Sequence, residues 1–156
     1  MKIGIISDSH GNIECIIKAL GKIGEADLWL HCGDYGKDAL FIKKYTQKDV
    51  IAVQGNCDSG IDYKIDEFIE IFGKKIWLTH GHRYKIKHSK NELLWWAKQY
   101  EIDIVIYGHT HIAENIDLNN IILFNPGSVS IPRHGDPSCG LLEITDEIVK
   151  FEIIQL

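Results

Sequence analysis

Short apolar blocks recur along the chain, and their periodicity switches between the strand repeat of two and the helical repeat of about 3.6 residues. Lys2-Ile3-Gly4-Ile5-Ile6-Ser7 is an Ile-rich run that breaks at Asp8-Ser9-His10-Gly11-Asn12, before an amphipathic stretch from Ile13 to about Lys22. This predicts strand, loop and helix, with Asn12 as N-cap. A second unit follows, with a strand over 27–31, a loop over Cys32-Gly33-Asp34-Tyr35-Gly36 and a helix over 38–45. A third strand over 50–54 ends in Gly55-Asn56-Cys57-Asp58. Strands alternating with helices predict βαβ units and a largely parallel sheet.

The middle of the chain changes character. Residues 63–72 and 75–79 alternate as strands around Gly73-Lys74, which predicts a β-hairpin whose second arm runs into His80-Gly81-His82. Residues 89–101 carry Leu93, Leu94, Trp96, Ala97 and Tyr100 on one helical face, with Ser89 as cap and Trp95 off the face, a candidate subunit contact. Residues 103–107 form another buried-type strand, ending in Gly108-His109-Thr110-His111. Beyond Ile112 the pattern gives successive antiparallel strands, with turns at Asn119-Asn120 and Asp146-Glu147 and an irregular loop over 125–137. The predicted class is α/β: a four-layer αββα sandwich of two packed mixed sheets flanked by helices. The basic segment 83–88 is expected to be a mobile lid over the site.

At 156 residues and 45% hydrophobic, the chain suits one domain spanning 1–156. Its net charge of −5 argues against extended nucleic acid as a partner, which requires a clustered basic surface, while leaving room for a small phosphate ligand. No apolar run approaches the ~20 residues of a membrane span, and Met1-Lys2 leads directly into a strand, so a cytoplasmic location is expected. Cys15, Cys32, Cys57 and Cys139 form no CxxC pair and are expected to be reduced thiols. Arginine is scarce, and its two occurrences, Arg83 and Arg133, both lie near candidate site segments.

The chemistry gathers where the predicted strands end. Asp8, His10, Asp34, Asn56, His80, His109 and His111 all occupy such ends, where loops of an α/β sheet converge on a ligand. Imidazole, carboxylate and amide oxygen form a mixed N/O set suited to Mn²⁺, Fe²⁺, Ni²⁺ or Zn²⁺. Seven ligands are too many for one tetrahedral ion and fit two ions about 3.5–4 Å apart. His31 reads as a buried support residue on its strand and His88 as a surface residue.

The order Asp8-Ser9-His10, Gly33-Asp34, Gly55-Asn56-Cys57-Asp58, His80-Gly81-His82 and Gly108-His109-Thr110-His111 resembles the calcineurin-like metallophosphoesterase superfamily. With Asn125-Pro126-Gly127-Ser128 and the C-terminal strands, the resemblance spans essentially the whole chain and points to the small single-domain phosphodiesterase branch. It implies that Asp8, His10 and His111 hold one metal, that Asn56, His80 and His109 hold the other, and that Asp34 bridges them. It further implies two divalent ions, Mn²⁺ foremost and otherwise Ni²⁺, Fe²⁺ or Zn²⁺. The activity implied is hydrolysis of a small phosphodiester by a metal-bridging hydroxide. A phosphomonoesterase or nucleotide pyrophosphatase would use the same core, and the retromer subunit that resembles this family implies a non-catalytic, protein-binding alternative. The branch leaves homo-oligomers open.

One position departs from the pattern. Many family members carry His directly after the site Asn, where it protonates the leaving group, and this chain carries Cys57. A thiol is a weak donor, so esters with easily expelled leaving groups are expected to be preferred. Cys57, Asp58 and His82 are the catalytic candidates, with Asp58 orienting the Asn56 turn and His82 reaching a phosphate oxygen. Asn12, Asn56 and Arg133 are the candidate substrate contacts.

Overall fold

The computed structural model describes residues 1–60 and 62–156. Strands β1 (Lys2–Ile6), β2 (Leu28–His31) and β3 (Asp49–Ala52) run parallel and alternate with helices α1 (Ile13–Ile23) and α2 (Lys37–Thr46). Then come β4 (Asp66–Ile71), β5 (Lys74–Thr79), α3 (Asn91–Gln99), β6 (Ile104–Ile106), β7 (Ala113–Leu118), β8 (Ile121–Pro126), β9 (Ser138–Ile144) and β10 (Val149–Gln155). They form two mixed five-stranded sheets, ordered β10-β9-β1-β2-β3 and β4-β5-β6-β8-β7.

Alternation along the strands assigns the layers. Ile3, Ile5, Leu30 and Cys32 of the first sheet meet Ile76, Leu78, Ile104, Ile106 and Phe124 of the second in the core between the sheets. The intervening Ile6 and Trp29 face outward to Ile16, Ala19, Leu20 and Ile42 of α1 and α2. Trp77 and Val105 face outward on the second sheet to Leu93 and Ala97 of α3. The inner strands β1, β2, β5 and β6 are covered on both faces and read as near-continuous apolar runs, while β4, β7 and β10 alternate, and the layers are αββα. Gly4 is required by this packing, because a Cβ there would run into the Trp29 ring paired beside it.

Three local expectations shift. The hairpin turns on Phe72-Gly73, both at positive φ, and Lys74 already pairs with Ile71. This two-residue left-handed turn sets the register that turns Ile76 and Leu78 inward. The first arm begins at Asp66 rather than Tyr63, because the preceding segment is drawn toward the site loops, with Lys64 O accepting from Gln54 N at 2.8 Å. Helix α3 starts later than the Ser89 cap implies: Lys90 is the cap position, while the Ser89 hydroxyl accepts from Asn91 N at 3.1 Å. Trp95 lies off the packed face and is 54% exposed.

Among the described residues no helix is long and apolar enough to cross a membrane.

Candidate metal centre

Five strands end in the segments that carry the candidate ligands. Asp8 and His10 follow β1, Asp34 follows β2, Asn56 follows β3, His80 follows β5, and His109 and His111 follow β6. The backbone at these ends is unusual, since Asp8, His10, Asp34, His109 and His111 all lie at positive φ, between 48° and 66°. Non-glycine residues held there cost about 1–3 kcal/mol each, and such strain persists where the surrounding structure fixes the site. The turns let alternate residues of D-x-H and H-x-H point into one space. The neighbouring glycines are needed for close approach: a Cβ on Gly55 would strike Asp34, and one on Gly108 would strike the Ser7 hydroxyl.

Asp8, His10, Asp34 and His111 each place one ligand atom so that all four lie within 4.8 Å of one another. His10 Nε2 is 3.5 Å from His111 Nε2 and 3.9 Å from Asp34 Oδ2. On the other side of the carboxylate, Asp34 Oδ1 lies 3.4 Å from His80 Nε2, which is itself 3.2 Å from Asn56 Oδ1. The His109 ring packs against His80 with centroids 4.9 Å apart. All seven predicted ligand residues are thus brought to one place.

The hydrogen bonds say what belongs between them. His111 Nδ1 lies 2.8 Å from Ile131 O and His80 Nδ1 lies 2.7 Å from Cys32 O. A carbonyl only accepts, so both Nδ1 atoms carry the proton and both Nε2 atoms of the neutral rings present lone pairs. His111 Nε2 nevertheless faces Asp8 Oδ1 at 3.1 Å, a fully buried carboxylate oxygen with no hydrogen-bond partner. Lone pairs opposed across such short gaps require a cation or a proton between them, and the donor set fits a divalent ion.

In the absence of a cation, protons take that place. Burial opposes charge on His80, but the Asp34 hydrogen bond and the Asp8 and Asp34 charges outweigh it and raise its pKa. The Asp8 hydrogen bond raises that of His111. Burial likewise opposes ionisation of Asp8 and Asp34, yet His111 and Ser7 hold Asp8 down, and His80 and Cys57 hold Asp34 down. His109 is lowered to about 4 by burial and by the His80 and Lys87 charges, so its lone pair is free at neutral pH.

A buried set of polar side chains fixes this arrangement. Ser7 donates to Asp8 Oδ2 at 2.5 Å, and His109 N donates to the same oxygen at 3.0 Å. Ser128 donates to Asp8 O at 2.8 Å, and Asn125 donates to Gly108 O at 2.9 Å and to Thr110 Oγ1 at 3.0 Å. His31, wholly buried, accepts from Gly33 N at Nδ1 and therefore offers Nε2–H to Ser9 Oγ at 3.0 Å. Ser9 donates onward to Asp38 Oδ2 at 2.6 Å, which also accepts from Gly11 N. This directed chain ties the Asp8–His10 loop to the Asp34 loop and to α2. Sequence reasoning found His31 as a support but gave no role to Ser9 and Asp38, whose only signal was position beside or beyond a ligand, or to Asn125, which entered only through the resemblance of Asn125-Pro126-Gly127-Ser128.

The other predicted site residues are placed as follows. Asp58 accepts from Gly36 N at 2.7 Å and Gly55 N at 2.8 Å, clamping the second and third loops together. Cys57 is exposed; its N–H donates to Asp34 Oδ1 at 2.8 Å, and burial and the Asp34 contact push its thiol up to about 11. His82 is half-buried, with its ring centroid 5.3 Å from that of His80 and a buried Nδ1 without a partner. Asn12 caps α1, accepting from Cys15 N at 3.1 Å. Arg133 is exposed, and its N–H donates to His111 O at 3.0 Å. The 83–88 segment, expected to be a lid, is pinned instead: Ile86 is buried, and the Tyr84 hydroxyl donates to Asp66 at 2.9 Å.

The calcineurin-like phosphoesterase superfamily domain matches residues 1–147. The probable metallophosphoesterase YsnB of Bacillus subtilis is 36% identical over 135 residues, covering 85% of this chain and 78% of that protein. The phosphodiesterase MJ0936 of Methanocaldococcus jannaschii is 32% identical over 162 residues, covering 92% of this chain and 93% of that protein. Among solved structures, Entamoeba histolytica Vps29 complexed with zinc superposes with a TM-score of 0.79 at 27% identity, covering 99% of each chain. Sequence, fold and ligand cluster agree: the chain belongs to the calcineurin-like phosphoesterase superfamily, in the company of small phosphodiesterases of the YfcE type.

Proposed function

We propose that the protein is a dinuclear metal-dependent phosphodiesterase acting on small phosphodiesters. The observation that carries this is the opposition of acceptor atoms at Asp34 Oδ1 and His80 Nε2, with His10 Nε2 on the other side of the same carboxylate. In this reading Asp8, His10 and His111 would hold one ion, Asn56, His80 and His109 would hold the other, and Asp34 would be shared between them. Mn²⁺ suits the N/O set best, with Ni²⁺, Fe²⁺ and Zn²⁺ as further fits. Two divalent cations, when bound, lower the pKa of a water to near neutrality and offset charge on the phosphoryl oxygens.

The chain's own residues do the rest. Positive backbone strain and the Ser7, Ser128 and His31 contacts hold the ligands in place before substrate arrives. The His82 ring packs beside His80 and His109, with centroids 5.3 Å and 6.1 Å away, and is the side chain proposed to reach a phosphoryl oxygen. Cys57 stays a thiol at neutral pH and is a poor acid for a departing alkoxide, so the diester's leaving group must largely leave unaided. The free cysteines fit a reducing, cytoplasmic setting.

The likeness to Vps29 gives a second reading, a protein-binding scaffold. Seven ligand positions with competent side chains favour catalysis. The test is turnover of bis(p-nitrophenyl) phosphate and p-nitrophenyl phosphate by protein reconstituted separately with Mn²⁺, Ni²⁺, Fe²⁺ and Zn²⁺. Faster diester turnover is expected with at least one ion. Absence of turnover with every ion would overturn the enzyme reading in favour of the scaffold.

A further inference from the structure

A cleft of about 470 Å³ opens beside the ligand cluster, and nothing in the metal chemistry uses it. Thr110, which sits between His109 and His111, forms its inner wall, and Ile86 and Ile112 form apolar sides. Its rim carries Lys87, Lys90 and Arg133 against a single carboxylate, Glu114. That carboxylate is already taken: Lys90 Nζ lies 3.0 Å from Glu114 Oε2, and the Tyr107 hydroxyl donates to Oε1. Lys87 and Arg133 have no ion-pair partner among the described residues, in a protein whose net charge is −5.

Both free cations are tied to the reaction centre. Arg133 is anchored to His111 through its backbone, its N–H donating to His111 O at 3.0 Å, and Lys87 lines the same cleft as Thr110, between His109 and His111. Thr110 Oγ1 is held by Asn125 and by Ile112 N, so the inner wall is preformed. A phosphodiester placed on the ligand cluster has two arms. One arm entering this cleft would lay an apolar or planar segment between Ile86 and Ile112 and bring whatever it carries at its end to two uncompensated cations.

We propose that this cleft selects phosphodiesters whose retained arm bears a second, dianionic phosphate, bound by Arg133 and Lys87. The inference rests on the phosphodiesterase reading and narrows its substrate class. A guanidinium accepts a phosphate through two parallel hydrogen bonds, and the lysine adds a point charge. A second smaller recess of about 150 Å³, lined by Tyr35, Lys37, Cys57, Asp58 and Ser59, lies on the loops after β2 and β3 and is left for the departing group.

The experiment compares thymidine 5′-(p-nitrophenyl phosphate) with the same ester carrying a 3′-phosphate, since both release p-nitrophenolate. Mn²⁺-reconstituted protein is expected to show about tenfold lower KM for the 3′-phosphorylated ester. The ratio of the two KM values should shrink in Lys87→Gln, collapse toward one in Lys87→Gln/Arg133→Gln, and fall as salt is raised. Equal KM values in the unmodified protein, or a ratio that survives in the double variant, would overturn the proposed selectivity while leaving the phosphodiesterase reading in place. No turnover of either ester would overturn that reading and this inference with it.

Discussion

Asp34 and His80 stand on different sheets and meet with acceptor atoms opposed, Oδ1 to Nε2 at 3.4 Å. His80 cannot turn a donor toward Asp34 in its neutral form, because Nδ1–H is committed to Cys32 O. Cys32 lies two residues before Asp34, so one loop both orients the imidazole and presents the carboxylate to it. The contact therefore joins the two sheets only through a positive charge, and the site and the fold share a dependence on what supplies it.

That dependence has a sign with pH. In metal-free protein the pKa values of His80 and His111 are raised above the ordinary 6.5, so their contribution to stability is complete below about 6.5 and is lost as pH rises through the raised values. Asp8 and Asp34, depressed below 3.8, contribute throughout the neutral range and lose their contribution only as pH falls through the lowered values. Metal binding needs deprotonated imidazoles and strengthens with pH. The gap in Tm between Mn²⁺-loaded and chelator-treated protein should therefore widen from about pH 6 to about pH 8.5. Thermal melts at the two pH values check this, and a narrowing gap contradicts it.

His31→Leu removes the link between the Ser9 hydroxyl and the Gly33 N–H. Leaving these buried groups unsatisfied costs about 1–3 kcal/mol, and loosening the two ligand loops should weaken metal affinity by about 10–100-fold. Melting and metal titration of the purified variant measure both. A stable variant with unchanged affinity would show that the chain through Asp38 does not position the ligands.

Cys57 predicts a steep dependence of kcat/KM on leaving-group acidity across a series of aryl and alkyl phosphodiesters. In Cys57→His the dependence should flatten, with alkyl esters gaining at least about tenfold as a general acid becomes available. A rate in the unmodified protein that ignores leaving-group pKa would contradict the role assigned to this position.

The layered fold was readable because Ile3, Ile5, Ile6, Trp29 and Leu30 alternate with the strand period and both faces are apolar. The candidate ligands, which the fold gathers in one place, stood out because each lies at the end of such a run. The hairpin register was missed by one residue, because Phe72 gives no sign in its side chain that its backbone will enter the left-handed region. The same holds at Asp8, His10, Asp34, His109 and His111, where the strain is imposed by tertiary contacts that no local pattern announces. Residues 83–88 look loop-like by composition, yet Ile86 finds a place against Gly81 and Tyr84 reaches Asp66, contacts made only when the chain is folded.

In the proposed dinuclear centre Asp34 is the shared carboxylate, so the metal content of Asp34→Asn tests the account most directly. Elemental analysis after saturation and desalting should find two ions per chain in the unmodified protein, about one in Asn56→Ala, and less than one in Asp34→Asn, where one anionic oxygen has become an amide. Two ions retained by Asp34→Asn would contradict a centre built around a shared carboxylate.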